Sequence, residues 1–157
     1  MRIDSLCFVA AGTAALTGMG LGMFMGITHD FTLAPAHAHL NLLGWVTMCL
    51  YGLYHRGREK PATILPWIQV VAGIAGFVGL SGGLATLLTI GGGSGFRFLF
   101  CGMLFAILSM LLFLVIVIGD AAICRRNKDP QPVNPSGSRY QTTSGAFSTP
   151  AVPKTAR

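Results

Sequence analysis

The sequence predicts an all-α protein: a four-helix transmembrane bundle with both chain ends cytoplasmic and a disordered C-terminal tail. Three observations carry that expectation. Four long runs contain no Asp, Glu, Lys or Arg, the few cations sit just outside those runs, and the composition changes character near residue 127. Of the 157 residues 52% are apolar and only 10% are charged, whereas a soluble domain of this size carries about 25% charged residues.

The four runs are Ser5–Thr28, Phe31–Tyr54, Ala62–Gly95 and Phe98–Gly119, of 24, 24, 34 and 22 residues. A hydrocarbon core of ~30 Å takes about 20 helical residues to cross. Each run therefore supplies one crossing, and the predicted helices lie near 5–28, 36–55, 64–90 and 96–122. Residues 1–126 form the expected transmembrane domain.

The first run has one Arg2 beside Asp4 before it, and its apolar core exceeds the usual 7–15 residues of a secretion signal. It is expected to remain as a membrane helix. In the second, Pro35 suits a helix start, because its missing N–H needs no partner there. The third ends in Gly91-Gly92-Gly93-Ser94-Gly95, a sequence suited to a flexible turn. That string lacks the Lys and the strand–helix setting of a phosphate loop.

The chain carries 11 Lys and Arg against 5 Asp and Glu, a net charge of +6. These cations are not interleaved with aromatics along one face, which argues against nucleic-acid binding. Arg2, Arg56, Arg58, Lys60, Arg125, Arg126 and Lys128 fall at chain ends or in the second loop, while the first and third loops hold only Arg97. Cations gather on the cytoplasmic side of membrane proteins. A bacterial inner-membrane location would put His29, His37 and His39 at the outer face. From 127 to 157 Pro, Ser, Thr, Gly and Gln dominate, a composition too poor in large apolar groups to offset the entropy of ordering.

Glycine occurs 21 times. Gly18, Gly22 and Gly26 recur every fourth residue on one face of the first helix, and Gly79 and Gly83 repeat the spacing in the third. Small faces let helices approach closely in lipid. The four cysteines include no C-x-x-C pair, so they read as buried structural thiols rather than a zinc site or disulfide framework.

The chemistry-bearing segment is 28–55, THDFTLAPAHAHLNLLGWVTMCLYGLYH. Polar and ionisable residues at membrane depth are costly and mark function. His37, Asn41, Gly44, Met48, Tyr51 and His55 recur at three- and four-residue steps and form one stripe. His39 falls on the other side of a regular helix, and a frayed helix start would let it converge with His37. His29, His37 and His39, with Met25 four residues before His29, make a candidate set for copper or another transition metal, and Asp30 is placed to ligate or orient a histidine. Interfacial placement against water and headgroups is the alternative for the histidines. Trp45, Tyr51 and His55 are candidates for a quinone or small-molecule site, or for interface anchors.

The segment AHAHLNLLGWVTMCLYGLY resembles the second helix of subunit I in haem–copper oxidases and nitric oxide reductases. More closely, it resembles small four-helix membrane proteins named cytochrome oxidase subunit I-like. The resemblance covers about residues 28 to 56. It implies that His37, flanked by Ala36 and Ala38, stands where the axial ligand of a low-spin haem stands, with His39 beside it. It further implies a haem b cofactor and an electron-transfer or oxidase-accessory role, with a homo-oligomer or respiratory-complex subunits as partners besides membrane lipid. This chain lacks the second histidine cluster and the copper ligands of a full oxidase subunit. No oxygen reduction by this chain alone is expected. A structural or assembly subunit without cofactor is the alternative.

Overall fold

A computed structural model describes residues 2–58 and 64–128, with side chains to 126. Among the described residues every regular element is helical. In chain order these are α1 (Ile3–Thr28), α2 (Ala34–His39), a π-helical segment (Leu40–Thr47), α3 (Met48–Gly57), α4 (Leu65–Thr89) and α5 (Gly93–Lys128). Of these, α1, α4 and α5 are each long and apolar enough to cross a membrane.

The backbone stays right-handed helical through both junctions of α2, the π segment and α3, at His39, Leu40, Thr47 and Met48. The three pieces thus make one rod from 34 to 57. Pro35 lies in its first turn, where a proline leaves no intrahelical bond unmade. The hydroxyl of Thr47 donates to the Leu42 carbonyl five residues back at 2.9 Å, the wider step of a π-helix.

Two antiparallel hairpins make the bundle. In the first, α1 lies against the rod in a register read from small residues. A β-carbon at Gly52 would sit 3.1 Å from the Cys7 β-carbon, one at Gly44 would sit 2.7 Å from that of Ala14, and Gly18 and Gly22 face Asn41 and His37. In the second, α4 packs on α5 with backbones nearly touching. Gly76 faces Ala106, Gly79 faces Gly102 and Gly83 faces Leu99. Such approach suits lipid, where close van der Waals packing drives helices together.

The connection between α4 and α5 is shorter than the glycine string suggests. Only Gly91 and Gly92 take positive φ, 72° and 90°, a conformation glycine reaches without steric cost. Gly93 already starts α5, and Gly95 lies within it against the Leu87 backbone, where a β-carbon would come within 2.8 Å. Close approach to α4 thus accounts for Gly95, while a β-carbon at Gly93 would meet nothing within 4 Å. At the other end, α5 runs through Asn127 and Lys128; the rest of the expected tail, and Lys60 in the second loop, lie outside the described residues.

Cys7, Ala11, Ala14, Met48, Tyr51, Val70 and Phe77 form the core where the hairpins meet. The expectation of buried cysteines holds for Cys7 but not throughout. Cys49 is half-buried and Cys101 and Cys124 are exposed, since an apolar run in a membrane helix has a face for lipid as well as one for protein. Thr13, Thr17, Thr28, Thr86 and Thr89 each donate a hydroxyl to the carbonyl four residues back, so no hydroxyl of these is left bare on an apolar surface.

Candidate functional site

Polar side chains collect at three levels of the bundle. At one end stand His29, Asp30, His37, His39 and Asn41. His29 ends α1 in the left-handed conformation, φ 53°, and is exposed. Asp30 is engaged locally. Its Oδ1 accepts from the Thr32 hydroxyl at 2.6 Å and the Thr32 backbone N–H at 2.9 Å, and these two bonds hold its carboxyl below the ordinary 3.8. Met25 is buried in the bundle at 4% exposure, whereas His29 faces out, so thioether and imidazole lie in different environments.

His37 and His39 both fall within α2, whose regular helix directs them apart. The ring of His37 is half-buried and fills the notch at Gly22, where a β-carbon would lie 3.1 Å from its Cε1. Asn41 sits beside it in the notch at Gly18, with its oxygen 2.5 Å from a β-carbon there. The Asn41 amide N–H₂ donates to the His37 carbonyl at 3.0 Å, which fixes which way the amide points, and Nδ2 lies 3.3 Å from both ring nitrogens. A neutral imidazole offers one lone pair in the ring plane. Standing equally far from both ring nitrogens, the Asn41 Nδ2 lies over the face of the His37 imidazole rather than in line with that lone pair, so the amide packs on the ring.

His39 is the reverse case. It is exposed, and its Nδ1 lies 2.8 Å from the Pro35 carbonyl oxygen. A carbonyl only accepts, so Nδ1 carries the proton and Nε2 is left with its lone pair facing outward. Backbone anchoring of the distal nitrogen is how proteins orient a metal-ligating histidine. Among the described residues no three of His, Cys, Asp and Glu gather closely enough to hold a bare metal ion.

The second level lies toward the other end, and most of it was not foreseen. His55 Nε2 donates to Gln69 Oε1 at 2.9 Å, and the Gln69 amide donates to the Ser109 hydroxyl at 3.4 Å. Ser109 donates to the Gln69 carbonyl at 2.9 Å and lies 3.5 Å from the Tyr51 hydroxyl. Gln69, Ser109 and Tyr51 are almost wholly buried, at 0%, 1% and 3% exposure. A cavity of about 20 Å³ adjoins Tyr51, Ser109, Gly73 and Met48, room for one water by volume. The available signal was a lone Gln and a lone Ser inside apolar runs; nothing in the spacing joined them to each other or to Tyr51 and His55 on the rod. Of the candidate small-molecule trio, Tyr51 and His55 join this network, and Trp45 faces outward at 48% exposure.

Farther along stands an ion pair. Arg58 meets Asp120 through Nε at 2.6 Å and Nη2 at 2.7 Å, and the Tyr54 hydroxyl donates to Asp120 at 2.8 Å. Arg2, Arg56, Arg58, Arg125 and Arg126 thereby share one end of the bundle, because Cys7 in the first turns of α1 packs on Gly52 near the end of the rod. His29, His37 and His39 lie at the opposite end.

Fold and polar levels together define an apolar helical protein of the membrane type with His37 turned inward and His39 outward near one end of the rod 34–57. Comparison with protein-family models, with curated proteins and with solved structures gives no match.

Proposed function

We propose that this chain is an integral membrane protein of four spans, the rod 34–57 being the fourth, and that it holds haem b through His39 Nε2 in an electron-transfer or oxidase-accessory role. The resemblance of the segment in this rod to the second helix of oxidase subunit I supports this reading. The observation that carries it is the His39 tautomer fixed by Pro35. A bare copper or zinc ion needs three or four protein ligands. A haem brings four nitrogens of its own and asks the protein for only one or two axial ligands. The donor set at this end suits the haem.

On this reading His37, placed by the resemblance at the ligand position, orients the rod instead. It locks to α1 through Gly22 and Asn41, and so sets the direction in which His39 faces. The exposed flank of the rod at Leu42, Trp45 and Val46 offers an apolar bed for a macrocycle. When bound, the haem supplies one-electron redox chemistry. The chain would supply an oriented imidazole and a water-poor surface, and a second copy or a respiratory-complex subunit would supply any further ligand. The gathering of arginines at one end supports cytoplasmic termini in a bacterial inner membrane.

Full-length protein purified in detergent and supplied with haem tests this. A Soret band that is lost in His39→Ala and kept in His37→Ala supports it. A structural or assembly subunit without cofactor is favoured by the packing of His37 into the notch at Gly22, and predicts colourless protein from the wild type as well.

A further inference from the structure

The cavity of about 20 Å³ beside Tyr51 lies where the two hairpins meet. Thr47 and Tyr51 wall it from the rod, Gly73 from α4 and Ser109 from α5. Gly73 makes the room: a β-carbon there would stand 2.9 Å from Ser109 Oγ, 3.3 Å from Met48 Sδ and 3.5 Å from Tyr51 Cε2. The hydroxyls on its walls are unequally engaged. Ser109 gives its one hydrogen to the Gln69 carbonyl at 2.9 Å, and Thr47 gives its own to the Leu42 carbonyl at 2.9 Å. Toward the cavity both can therefore only accept. The Tyr51 hydroxyl still has a hydrogen to place. It stands 3.5 Å from Ser109 Oγ, too far for an ordinary O–H···O bond, and 3.9 Å from Met110 Sδ, a weak thioether acceptor.

One donor and two acceptors around a water-sized space are the complement of a single water molecule. Buried waters make about three hydrogen bonds to groups otherwise short of partners. We propose that the cavity binds one ordered water, which accepts from the Tyr51 hydroxyl and donates to Ser109 Oγ and Thr47 Oγ1. Such a bridge is enthalpically nearly as good as a direct bond. Tyr51 and Thr47 belong to one hairpin and Ser109 to the other, so the water is a polar joint between them, and Gly73 is the residue that admits it. The water also carries the His55–Gln69–Ser109 chain on to Tyr51. A continuous run of hydrogen bonds then reaches from half-buried His55 into the centre of the bundle. The proposal rests neither on haem binding nor on the position of the bundle in a bilayer.

Full-length protein with methyl-labelled methionine, in detergent, tests this by NMR transfer of magnetisation from water to the Met48 methyl group. Met48 walls the cavity and is 0% exposed, so bulk water does not reach it. The wild type is expected to show a water cross-peak at this methyl, of the sign that marks a long-lived bound molecule. Gly73→Ala fills the room with a methyl group and keeps every hydroxyl. It should lose the cross-peak, whereas relay through hydroxyl protons alone would leave it in place. Tyr51→Phe keeps the ring and removes the one donor. It should lose the cross-peak too, which keeps the test decisive if Gly73→Ala folds poorly. A wild type without the cross-peak, or a cross-peak undiminished in either variant that folds, would overturn the proposal.

Discussion

Gly22 of α1 makes the room that the His37 ring occupies: a β-carbon on residue 22 would stand 3.1 Å from His37 Cε1. One turn away Gly18 does the same for Asn41. Glycine spacing in α1 and polar spacing in the rod are thus two halves of one contact. The contact turns His37 inward and leaves His39 facing out.

Gly18→Ala therefore pushes a methyl group into the Asn41 amide and should lower stability by about 1–3 kcal/mol, the usual cost of overpacking. Gly26→Ala, where no neighbour lies within 4 Å, should not destabilise. Thermal unfolding in one detergent compares the two, and an equal loss in both would contradict the register.

The α4–α5 hairpin is stricter, because its obstacles are backbone atoms. A β-carbon at Gly102 would collide with Gly79 and Leu80, and one at Gly83 with Leu99. Gly102→Ala should destabilise more than Gly18→Ala, since a backbone cannot rotate away as a side chain does. Gly82→Ala, on the open side of α4, is the control, and its unfolding midpoint should stay at the wild-type value.

Gln69 joins His55 to Ser109 with no exposed surface of its own. Gln69→Leu strands His55 Nε2 and removes the donor to the Ser109 hydroxyl, which keeps its own bond to the residue-69 carbonyl, and should cost about 1–3 kcal/mol, the range for leaving a buried polar group unpaired. Adding Ser109→Ala should then cost less than it does alone, because the amide that donates to the Ser109 hydroxyl is already gone. A double-mutant cycle measured by unfolding that shows simple additivity would rule out the coupling.

Asp30 gives the predicted pH response. Its hydrogen bonds from the Thr32 side chain and then the Thr32 backbone hold the folded carboxyl below 3.8. The turn is therefore supported at pH above the unfolded value and loses that support as pH falls through the folded one. Thr32→Val removes the stronger bond and should raise the Asp30 midpoint toward its ordinary value. NMR titration of the carboxyl reads this, and an unchanged midpoint would contradict the assignment.

Much of the fold is legible in the residues. Charge-free runs give α1, α4 and α5, which show up as helices long enough to span. The stripe from His37 to His55 turns inward, from Gly44 against Ala14 to Tyr51 in the core. Gly26 shares the spacing of Gly18 and Gly22 but packs on nothing, because the antiparallel register would pair it with residue 33, one before the rod begins. Spacing marks a face but does not say where the facing helix stops. Gln69 and Ser109 are 40 residues apart, a distance across which sequence periodicity carries no information. The Pro35 carbonyl that sets the His39 tautomer is a local bond, but only the observed rotamer reveals it.

The central claim, that His39 rather than His37 presents the ligand nitrogen, is tested most directly by haem titration of three full-length proteins: wild type, His37→Ala and His39→Ala. The account predicts a Soret band in the wild type and in His37→Ala, and none in His39→Ala until free imidazole is added. A band that survives in His39→Ala and disappears in His37→Ala would contradict it.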